Sequence, residues 1–121
     1  MEMRDLYHGT TGDNILQIIR LGVLRPNAEG KIFFSERHFE AVLMHGADIR
    51  RRATFAVKLR VTLPPTAALE RKETAGVSDT LVVETTVPLH VHVLELYIRE
   101  PRGSTVTTVR GVAEIQKYLS S

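Results

Sequence analysis

The chain has 121 residues, 43% hydrophobic and 25% charged, with a formal net charge of +2. That is enough for one domain with its own core, and too small a charge excess to announce a polyanionic partner. Cysteine is absent, which excludes disulfides, thiolate zinc sites and cysteine nucleophiles together. No stretch reaches transmembrane length, and the charged start Met1-Glu2-Met3-Arg4-Asp5 has no apolar run behind it. Neither a membrane span nor a signal peptide is therefore expected, and the expected location is the cytoplasm, its own or that of a target cell.

Leu6-Tyr7-His8 reads as a short strand ended by Gly9. Thr11 or Asp13 can cap a helix running to about Leu21, because Ile15, Ile18 and Ile19 share a face at i, i+3, i+4 spacing. Gly22 suits the left-handed position after the last turn, and Pro26 enforces the stop. Lys31 to Ser35 is a strand with two adjacent phenylalanines, one of which must face the core by alternation. Ser35 can then cap a second helix, about Arg37 to Gly46, burying Phe39, Val42 and Leu43.

Thr54 to Leu63 alternates, with Phe55, Val57, Leu59 and Val61 on one face and Lys58 and Arg60 on the other; Pro64-Pro65 stops it. Thr66 to Ser78 is polar and mixed, and reads as a surface excursion. Thr80 to Glu84 and His90 to Ile98 make two more strands separated by Pro88, and Val112, Ile115 and Leu119 predict a short terminal helix. The chain shows no internal repeat or linker. It reads as one α+β domain over residues 1–121.

Four features bear on chemistry. His8, which titrates near neutral pH, lies directly against Gly9 and the hydroxyls of Thr10 and Thr11, where a ligand can approach bare backbone. Its structural alternative is a core-edge histidine satisfied by a neighbouring carbonyl. Asp79, after Gly76-Val77-Ser78, is either an acid at the head of a strand or a turn residue bonding its own backbone. Arg50-Arg51-Arg52 is the one concentrated basic patch, able to touch phosphates but more often solvated. His90 and His92 share a strand face without a third ligand in reach, so no metal site is expected.

In this order, Tyr7-His8-Gly9-Thr10, the helix ending Gly22-Val23-Leu24, the strand closing Phe34-Ser35 and the segment Leu81 to Pro88 carry a resemblance. They resemble the ADP-ribosyltransferase superfamily and its relatives, the RNA 2'-phosphotransferases, over about residues 5 to 98. The resemblance implies a split β-sandwich with flanking helices that grips NAD+ as substrate and transfers ADP-ribose to a protein or nucleic-acid acceptor, or to water. Toxins and macromolecule modifiers are common among such domains.

Residue by residue, the resemblance gives His8 to a ribose and Gly9 to the nicotinamide amide. Phe33 goes to the nicotinamide pocket, with Thr10 and Ser35 beside them. Asp79 stands at the family's acid position, with Glu84 as fallback. The chemistry needs such an acid, because breaking the nicotinamide–ribose bond develops an oxocarbenium-like sugar that a carboxylate stabilises. The pattern departs from the family in having Asp for Glu, and Met44-His45 where an aromatic residue is usual. Two alternatives follow from the same residues. One is RNA 2'-phosphate transfer using Arg50, Arg51 and Arg52; the other is an inactive module that binds a nucleotide or ADP-ribose.

Overall fold

Strict alternation makes the segment Ala53–Leu63 (β5) the spine of the protein: Phe55, Val57, Leu59, Val61 and Leu63 are all buried on one face. The computed structural model describes residues 1–74 and 77–120. On one edge β5 pairs antiparallel with Glu2–Gly9 (β1), from Glu2 opposite Leu63 to Gly9 opposite Ala56. On the other edge it pairs with the strand Leu89–Arg99, here β8, which in turn carries Val106–Arg110, here β9.

The helix Gly12–Leu21 (α1) follows β1. Its N-cap is Thr11, whose hydroxyl accepts the Asn14 N–H at 3.3 Å. Gly22, at φ 70°, closes it by donating its N–H to the Ile18 carbonyl at 2.8 Å. The two-residue strand Val23–Leu24 (β2) then pairs with β8.

The strand Lys31–Ser35 (β3) meets β1 at a single rung, Tyr7 opposite Ser35. Its other edge pairs along its whole length with Val77–Glu84 (β7), and β7 pairs with Ala68–Thr74 (β6). Among the described residues the open, antiparallel sheet therefore runs β2-β8-β5-β1-β3-β7-β6, pinched to one rung at its middle. The fold is a mixed α+β domain dominated by this sheet.

The main core draws on every part of the chain, from Leu6 through Ile15, Phe34 and Leu59 to Leu96, Ile115 and Leu119. The last two lie on the terminal helix Val112–Leu119 (α3). A smaller cluster covers the opposite face: Ala56 and Tyr97 meet Val42 and Leu43, with Tyr7 and Phe39 packed against them. Phe39 stacks on Tyr97 at 4.2 Å and 7°. No helix among the described residues is long and apolar enough to cross a membrane.

Three expectations are corrected. The segment 66–78 is not a surface excursion: most of it is β6 and the start of β7, a hairpin whose polar strand lies on the sheet edge. Ala75 and Gly76 lie outside the described residues. The second helix spans only Glu40–Leu43 (α2), with Phe39 and not Ser35 at its N-cap position. Its expected first turn is consumed elsewhere, because the N–H groups of Arg37 and His38 donate to the Asp79 carboxylate. Finally, Asp79 does not open its strand, since β7 already begins at Val77.

Candidate functional site

Beyond the Tyr7–Ser35 rung, β1 stays paired with β5 but no longer pairs with β3. A groove of about 950 Å³ forms there, at the upper end of the range for ligand pockets, roughly 300–1,000 Å³. His8, Gly9 and Thr10 form one wall, α1 supplies Asn14, Gln17 and Ile18, and Phe33 lies along β3. A fourth wall comes from α2 and the turn after it, through Glu40, Ala41, Met44 and His45.

His8 stands where the strands part. Its Nδ1 lies 2.9 Å from the Phe33 carbonyl oxygen, and its ring packs against Phe34 with centroids 5.7 Å apart. A carbonyl only accepts, so Nδ1 carries the proton and Nε2 of the neutral ring is left as an acceptor. Loss of solvent around the ring lowers the His8 pKa from its ordinary 6.5. The Phe33 carbonyl opposes that shift, and nearby His45 adds to it. Near neutral pH this ring is an uncharged acceptor.

The same edge of β3 is sealed further along. Asn27 donates its N–H to the Lys31 carbonyl at 2.9 Å and accepts the Lys31 N–H on its side-chain oxygen at 3.0 Å. Residues i and i+2 of a strand turn their backbone groups the same way. Phe33 therefore presents its N–H on the groove side, beside the carbonyl that holds His8. Phe33 is 43% exposed and Phe34 is fully buried, and both line the groove, Phe34 on the side of the His8 ring.

Gly9 is required by contact as well as by position. A Cβ placed on it would lie 1.9 Å from the Val42 carbonyl oxygen, so α2 rests directly on β1. Gly46, just past the end of α2, repeats the device: a Cβ there would lie 1.7 Å from the Phe55 carbonyl oxygen. Two close approaches thus fix the wall that carries Glu40 and His45. Thr10 lines the groove and accepts the Asn14 side-chain amide at 3.0 Å, which holds the strand end to α1.

The acids expected from sequence lie elsewhere. Asp79 is buried, and its carboxylate accepts the Arg37 N–H at 3.0 Å, the His38 N–H at 2.8 Å and the Ser35 hydroxyl. Those bonds, acting against the desolvation of the group, hold its pKa below the ordinary 3.8. Ser35 is fully buried, and its hydroxyl also lies 2.7 Å from the His38 carbonyl oxygen. Asp79 and Ser35 together clamp the 35–38 loop and do not line the groove. Glu84 is exposed on β7, opposite Lys31 across the strand pair, and is not on the groove wall either. The carboxylate that sequence reading missed is Glu40, the one acid lining the groove among the described residues. No motif announces it; only the packing of α2 over Gly9 brings it there.

The three arginines divide. Arg51 donates to Asp48 at 3.0 Å, to Asp13 at 2.9 Å and to the Leu119 carbonyl at the end of α3 at 3.0 Å. Asp48 belongs to the short strand Ala47–Asp48 (β4) and also accepts the Gly12 N–H at 2.8 Å. Arg51 is thus a clasp between three elements, with its guanidinium already engaged by protein partners. Arg50 joins Asp13 at 2.9 Å, and Arg52 is exposed. His90 and His92 are exposed on β8, and no metal-holding cluster occurs among the described residues. No protein-family model, curated protein or solved structure matches the chain.

Proposed function

We propose that this protein is an ADP-ribosyltransferase-like enzyme, with its split sheet standing for the family's split β-sandwich. It binds NAD+ as substrate in the groove at the split and transfers ADP-ribose to a macromolecular acceptor or to water. The observation that carries the reading is His8: a desolvated neutral imidazole, fixed by the Phe33 carbonyl, with Nε2 free beside a groove of dinucleotide size. Such a ring accepts a hydrogen bond from a ribose hydroxyl without placing a positive charge near a cationic nicotinamide. Phe33 offers its ring face and the backbone N–H beside it to the nicotinamide.

Glu40 serves the reacting carbon. As the glycosidic bond breaks, its electron pair leaves with neutral nicotinamide and positive charge grows on the ribose, where a carboxylate stabilises it. The acceptor's oxygen or nitrogen then bonds to that carbon and its proton passes to Glu40. Nicotinamide release by the purified protein tests this. Wild type turns over NAD+, Glu40→Gln loses about 10²–10³-fold in kcat with NAD+ affinity retained, and Asp79→Asn acts through stability alone. The second reading, a nucleotide-binding module without turnover, is favoured by the removal of Asp79 and Glu84 from the groove. Saturable NAD+ binding with no nicotinamide release would establish it.

A further inference from the structure

A second groove, of about 1,120 Å³, lies on the other flank of α1, between the loop joining β4 to β5, the turn after β8 and the end of α3. Its charged residues are Arg50, Arg51, Arg52 and Arg102 against Asp13 and Glu100. Asp13 is already engaged by both Arg50 and Arg51. Arg52 and Arg102 are exposed and have no ion pair among the described residues. Asp48 takes up a further charge beneath Arg51, and the groove keeps a small cationic excess carried by Arg52 and Arg102.

The loop itself is unusual. Asp48 and Ala53 pair across it, leaving Ile49 to Arg52 as a four-residue connection, and Arg52 takes φ 54°. That is the left-handed position where glycine or asparagine is ordinarily found, since a side chain there is strained. A long cationic residue is held at a position that disfavours it. Beside it, Ile49 at the loop tip is 92% exposed, and Tyr118 on the groove wall is 41% exposed.

We infer that this groove binds single-stranded nucleic acid, with Arg52 and Arg102 on backbone phosphates and the Tyr118 ring stacking on a base. Exposed arginines and an exposed aromatic in one groove are what a sequence-tolerant strand requires: charge for the backbone and a flat face for a base. A side-chain ring can stack only on a base whose face is open, so the single strand is the occupant. The inference stands on the second groove alone and does not rest on NAD+ binding.

The test is fluorescence anisotropy with a labelled 12-nucleotide oligouridylate across a salt series. Wild type binds, and its log K falls with log salt at a slope near −0.7 per phosphate contacted. Arg52→Gly is the informative variant, because it removes the charge and relieves the backbone together. It melts no lower than wild type, yet binds about 5- to 10-fold more weakly and loses about 0.7 from the salt slope. Tyr118→Ala weakens binding without changing the slope, and Arg60→Ala, on β5, leaves both unchanged. Three results would each overturn the inference: no binding by wild type at low salt, an Arg52→Gly protein that binds as wild type does, or polyglutamate or a matched duplex competing as well as the single strand.

Discussion

Replacing Gly9 by alanine probes the joint on which the groove is built. The added Cβ falls 1.9 Å from the Val42 carbonyl oxygen and 2.9 Å from its carbon, both backbone atoms that no rotamer change can move. Ordinary contact begins at 3.4 Å, so α2 has to retreat by the difference, 1.5 Å, or β1 has to bend. Overpacking of this kind costs about 1–3 kcal/mol, and the backbone identity of the clashing atoms places this case at the upper end. In a domain of this size about 3 kcal/mol lowers the melting temperature by roughly 10 °C. The retreat also withdraws Glu40, Met44 and His45 from the groove, so a ligand bound there loses affinity beyond the loss of stability. Thermal melting, followed by binding at a temperature where both proteins are folded, separates the two effects. A Gly9→Ala protein melting within 2 °C of wild type would refute the packing account. Gly46→Ala, whose Cβ meets the Phe55 carbonyl oxygen at 1.7 Å, should behave alike.

Asp79→Ala removes the acceptor for two loop N–H groups and the Ser35 hydroxyl, and should cost about 3 kcal/mol in a urea titration. Arg51→Ala leaves Asp48 without its cation and the Leu119 carbonyl without its donor, a loss of about 3 kcal/mol, with faster amide exchange at the end of α3. Stability should also depend on pH in two windows. His8 has a folded pKa below 6.5, so the unfolded chain binds the proton more readily, and stability drops as pH falls below 6.5 toward the folded value. The urea midpoint of wild type should decline in that range while that of His8→Gln stays flat. Asp48 and Asp79 are held below 3.8, so their contribution is full above 3.8 and is lost as pH falls through their folded values. Asp79→Asn should flatten part of that second decline.

What the sequence made legible was local. The helix α1 carries its own cap in Thr11, its own stop in Gly22 and its apolar face at Ile15 and Ile18, all within twelve residues. β5 declares itself by alternation, and β3 by its phenylalanines. β6 does not, because Ala68 to Glu73 is exposed throughout, and an edge strand with no buried face shows no period. Its existence follows from β7, which pairs with it.

The site divides in the same way. His8 and Phe33 were readable because each ends or lines a strand whose pattern is local. Asp79 also sits at a strand, but its partners at Ser35, Arg37 and His38 are more than forty positions away in the chain. Spacing therefore pointed to chemistry where folding uses the carboxylate as a clamp. Glu40 carries no pattern of its own and gains its place only from the contact between Gly9 and Val42.

The central claim is that NAD+ occupies the groove where β1 and β3 part, held by neutral His8. Calorimetric titration of NAD+ at pH 7.5 into wild type, His8→Ala and Arg52→Gly tests it most directly. The account predicts saturable one-to-one binding by wild type and Arg52→Gly, and its loss in a His8→Ala protein that remains folded. Absence of saturable heat with wild type, or equal affinity in His8→Ala, would contradict it.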